Sequence, residues 1–200
     1  KITPENVEQK LGKKDGIIIA PGFGQRGMEG KFTALQFARE HNVPCLGICM
    51  GMQTMCIEFA RNVLGYDDAN STEIDPHTTH NVVDIMDEQK NILNLGGSMR
   101  LGAYKCKLKK GSKAYQIYGK ENISERHRHR FEFNNQYKDE FEKAGMSCSG
   151  LNEESDLVEI VELKNHKWFV GVQFHPEYSS TVVNPHPLFY SFIKAAIDKK

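Results

Sequence analysis

The sequence predicts an α/β protein with an open, largely parallel sheet and helices on both faces. Three observations carry that expectation. Ile17-Ile18-Ile19-Ala20 and Val43 to Ile48 are short apolar runs without alternation, as suits strands buried on both faces. A helical pattern follows each: Phe32, Leu35, Phe37 and Ala38 after the first, and Met52, Met55, Cys56, Phe59, Ala60 and Val63 after the second. The connections are short, so the chain runs as a βαβ unit, whose strands lie parallel.

The 200 residues fit one domain with a substantial core. Lys plus Arg (26) balance Asp plus Glu (26), so no global field draws the chain to nucleic acid or to an anionic membrane. The five cysteines (45, 49, 56, 106 and 148) are odd in number and form no CxxC pair. They point to a reducing, cytoplasmic compartment and away from a disulfide framework or a zinc site. No apolar run reaches the ~20 residues of a membrane span, and the amino terminus is not a signal peptide. Lys1 to Asp15 reads as the middle of a longer polypeptide.

Pro21 closes the first strand, and Gly22-Phe23-Gly24-Gln25-Arg26-Gly27 follows. This has the G-x-G-x-x-G form of a dinucleotide-binding turn. Two features count against that use. The helix is expected to start only near Gly30 or Lys31, and Pro44 to Cys49 occupy the place of the acidic ribose ligand. A loop whose free N–H groups face the tip of the next strand fits better, because such loops converge on one crevice. Gly47-Ile48-Cys49-Met50-Gly51 has the glycine spacing of a nucleophile elbow between strand and helix. Such a turn strains the backbone and presses it on its neighbours, which a Cβ would obstruct. The helix N-terminus is expected to favour the Cys49 thiolate. A buried structural cysteine is the alternative, since free cysteine is among the most buried residue types.

Beyond Gly65 the chain turns polar, and Asp67 to Glu73 is a solvated loop from which Glu73 can reach back over the elbow. Val82 to Ile85 is a short strand, Asn94 to Gly102 a glycine-rich loop, and Tyr104 to Leu108 a half-exposed strand. In Glu125 to Phe133, an extended backbone puts Arg126, Arg128 and Arg130 on one face and His127, His129, Phe131 and Phe133 on the other. A charged sheet edge and an arginine gripping a small carboxylate or phosphate both fit this pattern. Nucleic acid lacks support from net charge, and a metal lacks flanking ligands. A short helix over Tyr137 to Ala144, strands over Leu157 to Leu163 and Trp168 to Gln173, and a last helix from His186-Pro187 complete the chain.

A nucleophilic cysteine needs a base, and the base needs a partner that fixes its tautomer. His175 at a strand's end and Glu177 two residues on supply both if the segment is extended, since such residues point the same way. Gly47 to Gln53 (GICMGMQ) and Phe174-His175-Pro176-Glu177 together resemble class I, or triad, glutamine amidotransferase domains, which have a flavodoxin-like α/β fold. More narrowly, four segments are similar to the glutaminase domain of the CTP synthase family. They are Pro21-Gly22-Phe23-Gly24 with Arg26-Gly27, Asn70-Ser71-Thr72-Glu73, Gly97-Ser98-Met99-Arg100-Leu101-Gly102 and Glu125 to Arg130. The similarity covers nearly the whole chain. The triad motifs mark the superfamily, and the last two segments mark the CTP synthase type.

The resemblance implies a chemistry and its residues. Cys49 attacks the side-chain amide of L-glutamine, His175 protonates the departing ammonia, Glu177 orients His175, and water hydrolyses the thioester. The oxyanion is held by backbone N–H groups of Gly22 and Met50. Pro21 stands where many relatives carry glycine and has no N–H to give. Glu73 takes the α-ammonium of glutamine and Arg130 its α-carboxylate. Gly22, Phe23, Gln53 and the backbone of Met50, Gly51 and Met52 line the slot. The resemblance also implies residues 1–200 as a glutaminase domain lacking its first strand and helix, with an amidoligase domain outside the sequence. This domain then holds no cofactor. ATP and Mg2+ serve the amidoligase domain, which aminates UTP to CTP, GTP activates, and Gly97 to Gly102 belong to the GTP-responsive surface. Assembly as a homo-oligomer, a tetramer, is expected through the absent domain. Another class I amidotransferase, a γ-glutamyl hydrolase or a non-catalytic docking module are the other identities considered.

Overall fold

The structure is a computed structural model and describes residues 1–85 and 99–198. In chain order its first half holds α1 (Val7–Leu11), β1 (Ile17–Ile19), α2 (Met28–Glu40), β2 (Cys45–Ile48), α3 (Met50–Asn62) and β3 (Val83–Ile85). Then follow β4 (Arg100–Leu108), α4 (Lys113–Tyr118), β5 (Asn122–His129), β6 (Phe131–Phe133) and α5 (Lys138–Ala144). The chain ends with β7 (Met146–Asn152), β8 (Leu157–Leu163), β9 (Phe169–Val172) and α6 (Pro187–Ile197).

The main sheet is open, in the order β1-β2-β9-β8-β7-β4-β5. β2 runs parallel to β1 on one side and to β9 on the other, with Ile48 opposite Val172. The pairings beyond β9 are all antiparallel. The expectation of a largely parallel sheet therefore holds for β1, β2 and β9 and not for the outer strands. The short link from β8 to β9 has no room for a helical crossover, so those strands must run in opposite directions. β3 and β6 form a separate antiparallel pair.

Helices do cover both faces. Cys45 and Phe169 point to one face and pack with Leu35, Met52, Met55 and Phe59 of α2 and α3. Leu46, Ile48, Val170 and Val172 point to the other and pack with Trp168, Leu188 and Phe192. Period-2 alternation thus splits two fully buried strands between two cores.

Two boundaries differ from expectation in ways that matter to the site. α2 begins at Met28, directly after Gly27, whose φ of 79° favours glycine. The helix therefore does open straight from the glycine loop, and only the buried β2 at the acid position still counts against a dinucleotide turn. Arg100 to Gly102 belong to β4, not to a loop, while Gly97 and Ser98 lie outside the described residues.

Candidate active site

Cys49 sits between β2 and α3 with φ 54° and ψ −109°, a conformation rare for any residue with a Cβ. The flanking glycines are there for space. A Cβ on Gly51 would lie 2.2 Å from the carbonyl oxygen of Ile19, and one on Gly47 would lie 2.7 Å from the Gly51 backbone. The bend thus forms only where the helix can press against β1 and β2 without side chains between them. The Cys49 N–H donates to the Val172 carbonyl at 2.7 Å, which locks the elbow to the end of β9.

The base arrives along β9, three residues past Val172. His175 Nδ1 and Glu177 Oε1 are 2.6 Å apart. The pair forms by a different route from the one expected: Pro176–Ser179 is a 3-10 turn, not an extended segment, with proline at its start. Proline's fixed φ suits a first helical turn, and the turn folds Glu177 back onto the ring. His175 Nε2 is buried and makes no hydrogen bond among the described residues. The His175 N–H donates to the Arg126 carbonyl at 2.8 Å, so β5 is tied to the same corner.

A cavity of about 430 Å³ opens over the elbow. Cys49 and Gln53 line it from the elbow side, Gly22, Phe23 and Glu73 from two loops, and Arg130 and Phe131 from the junction of β5 and β6. Gln53 Nε2 donates to the Phe131 carbonyl at 2.7 Å, which fixes that wall. Glu73 accepts from the Gly24 N–H at 3.3 Å, which joins the two loops. Met50, Gly51 and Met52 are not on the lining. Gly51 packs on Ile19 and Met52 is buried among core residues, so only backbone from these positions can face a ligand.

Other residues come to the site that the sequence reading did not place there. Met99, Arg128 and His129 line the cavity. Gln173 Nε2 is 3.7 Å from Cys49 Sγ, and the Arg128 carbonyl is 3.9 Å from it. Gln173 adjoins Phe174-His175, and Arg128 belongs to the charged cluster, so each stood beside a recognised motif. Their approach to sulfur depends on strand pairing across the sheet, which no local pattern encodes.

The expected thiolate is not what the site holds at rest. Burial pushes the Cys49 thiol up to about 12, and the nearby carboxylates of Glu177 and Glu73 act in the same direction. The Met50 N–H at the helix start and the Lys31 ammonium pull it down. Desolvation wins, so the sulfur is a protonated thiol near neutral pH. Among the described residues no group of three or more His, Cys, Asp or Glu is arranged to hold a metal ion. Among them, too, no helix is long and apolar enough to cross a membrane.

Known proteins are similar to this chain in sequence and in fold. The model of class-I glutamine amidotransferases matches residues 1–195. A CTP synthase of Bacteroides fragilis is 67% identical over 198 residues, covering 99% of this chain and 37% of the relative. One of Porphyromonas gingivalis is 64% identical over 197 residues, 98% of this chain and 36% of the relative. The chain thus spans little more than a third of the length of these curated relatives. The solved glutaminase domain of Trypanosoma brucei CTPS, with bound acivicin, superposes with a TM-score of 0.92 at 39% identity, covering all of this chain and 80% of that one. The chain therefore belongs to the class I glutamine amidotransferase family, as a glutaminase domain of the CTP synthase type.

Proposed function

We propose that the domain hydrolyses L-glutamine through a thioester on Cys49 and supplies the ammonia to an amidoligase domain of the same polypeptide. The observation that carries this reading is the corner where β2 and β9 end side by side. There the strained elbow of Cys49 is bonded to Val172, and three residues on His175, oriented by Glu177 at 2.6 Å, keeps a buried Nε2 with no hydrogen bond among the described residues. The substrate's arrival moves the thiol proton to His175 Nε2, and sulfur attacks the amide carbon. The Gly22 and Met50 N–H groups receive the oxyanion. His175 returns the proton to the departing ammonia, and water then releases glutamate. Glu73 takes the α-ammonium and Arg130 the α-carboxylate. A carboxylate and guanidiniums lining one cavity fit a zwitterion. Gln53, Phe23 and the backbone of Gly22 and of Met50, Gly51 and Met52 bound the slot.

The relatives' greater length supports an ammonia-consuming partner, with UTP as acceptor activated by ATP and Mg2+, GTP as activator and assembly as a tetramer. The cytoplasm is the proposed compartment, since all five cysteines are free thiols. The test is covalent labelling with acivicin. Cys49 should be modified, and Cys49→Ala should lose both labelling and glutamine-dependent ammonia release. Labelling that persists in Cys49→Ala would place the nucleophile elsewhere. Ammonia release is then measured with and without GTP in this segment and in the full-length protein.

A further inference from the structure

Lys31 lies in the first turns of α2, and its side chain turns inward beneath the glycine loop. Its Nζ is 3.6 Å from Met50 Sδ and 3.7 Å from where a Cβ on Gly22 would stand. The ammonium thus sits against both residues whose N–H groups were assigned to the oxyanion. It is half-buried, yet among the described residues no carboxylate pairs with it. Two guanidiniums that enter the protein do have one, whereas Lys113, also half-buried, gives its Nζ to the Lys167 carbonyl at 3.1 Å. Arg39 is 2.7 Å from Glu58, and Arg100 is 2.5 Å from Glu159. A desolvated charge without a counter-ion is costly and normally comes with a partner. Burial accordingly draws Lys31 below the usual lysine range, and the group that opposes this is Cys49.

The missing partner has a chemical explanation. If the negative charge that Lys31 is to meet appears only during the reaction, a permanent carboxylate beside it would cancel its effect. The charged and titratable groups around Cys49 bear this out. Glu73 acts on it from the 70–75 loop, Glu177, paired with His175, from the turn after β9, and Lys31 from α2, while Arg128, His129 and Arg130 line the same cavity. Two carboxylates oppose a thiolate there, and Lys31 favours it together with the Met50 N–H.

We infer that Lys31 is a positioning residue whose field stabilises the Cys49 thiolate and the oxyanion at Gly22 and Met50 without touching substrate. The inference rests on the amidotransferase reading above. In the step it assists, the S–H bond breaks and the proton goes to His175 Nε2. The electron pair left on sulfur then forms the bond to the amide carbon, and the carbonyl pair moves to oxygen. Lys31 keeps all its protons throughout.

The test is the rate of Cys49 alkylation by iodoacetamide against pH, followed by peptide mass spectrometry, in the wild type, Lys31→Met and Lys31→Arg. The Met variant should react about five- to tenfold more slowly near neutral pH, with its profile displaced upward. The Arg variant should stay within about twofold of wild type. Melting temperature should hold or rise in Lys31→Met, because an unpaired desolvated charge is gone. Coincident pH profiles for wild type and Lys31→Met overturn the inference. So do equal losses in both variants with a lower melting temperature, which would mark Lys31 as packing. Lys31→Gln, also uncharged, decides the matter if the Met variant does not fold. Iodoacetamide needs only the thiol, so failure of the glutamine reading shows separately: Cys49 would then alkylate in a Lys31-dependent way yet ignore acivicin.

Discussion

In β2 and β9 every residue is buried and none is polar, whereas β8, β7, β4 and β5 bury carboxylates, imidazoles, a guanidinium, hydroxyls and an amide among their apolar residues. The parallel half behaves as a rigid frame. Its side chains interdigitate with helices on both faces, and its function is to hold one backbone bend at the end of β2. The antiparallel half has one helix-covered face at most along β5, whose exposed and buried residues alternate. It brings charge to the cavity, with Arg128 and Arg130 outward and His127 and His129 inward. The candidate site lies where the two meet, with Cys49 and His175 from the frame and the Arg128 carbonyl and Arg130 from the charged edge. The difference teaches that shape and polarity are delegated to separate parts of one sheet, and each can be broken separately.

The largest effect should come from the polar half. Arg100 Nη1 is 2.5 Å from Glu159 Oε1 and 3.8 Å from Glu132 Oε2, and its guanidinium covers the Tyr104 ring at 4.2 Å. Burial raises the Glu159 carboxyl to about 7, and Arg100 acts against that rise. Arg100→Ala removes the counter-charge and should destabilise the protein by about 3–5 kcal/mol at mildly alkaline pH, read from urea unfolding. A loss below about 1 kcal/mol would mean that the two halves are not different in kind. Replacing Arg100 and Glu159 together by Met and Leu should recover much of it, because the penalty is the orphaned charge rather than a lost contact.

The frame should respond next. A Cβ at Gly51 meets the backbone oxygen of β1, which cannot rotate away as a side chain would. Gly51→Ala should cost about 2–3 kcal/mol. It should also slow acivicin labelling of Cys49, since α3 must shift and carry the elbow with it. Full labelling with unchanged urea unfolding would show that the elbow does not depend on that close approach.

How far the sequence could be read follows the same division. The frame was legible because unbroken apolar runs and the glycine spacing around Cys49 are local signals with a single good structural solution. β7, MSCSGLN, has no β-branched residue and escaped notice; it is a strand because β4 and β8 pair with it on either side. α4 also escaped, for it is only six residues long; Ser112 caps its start locally, accepting from the Tyr115 N–H at 3.0 Å, and a second cap comes from a distance. Glu162 of β8 accepts from the Lys113 and Ala114 N–H groups at 2.8 and 3.0 Å. In the site, the His175–Glu177 pair was readable from spacing, although the turn that makes it was not. Glu73 reaching over the elbow and an arginine gripping a carboxylate were readable as possibilities, but their roles on glutamine came through resemblance, since nothing local says that residues so far apart in the chain line one cavity. Lys31 figured in the sequence only as a place for the helix to start, because the approach of its ammonium to Met50 and Gly22 joins three separate stretches of chain.

The smallest effect separates the halves by their protons. His127 Nδ1 and His129 Nε2 are 2.9 Å apart and buried, and burial, joined by Arg100, pushes them down to about 2 and about 3. From an ordinary 6.5, each then binds its proton more weakly in the folded state, so the stability they contribute is present above about 6.5 and is lost as pH falls. Glu159 has the opposite sign. Raised from 4.5 to about 7, it contributes stability below about 4.5 that is lost as pH rises through about 7. Between those limits the unfolded chain holds two extra protons on the histidines and the native state one on Glu159, a net of one. Unfolding free energy should therefore rise by about 1.4 kcal/mol per pH unit from this cluster between about pH 5 and 6. In His127→Gln one histidine proton is lost from the balance and the cluster's slope should fall to near zero, while Gly51→Ala, which touches only the frame, should leave the slope as it is. Urea unfolding at several pH values reads all three. Equal slopes in wild type and His127→Gln would mean that the imidazoles already carry charge in the folded protein, and that the polar half is wetter than its burial implies.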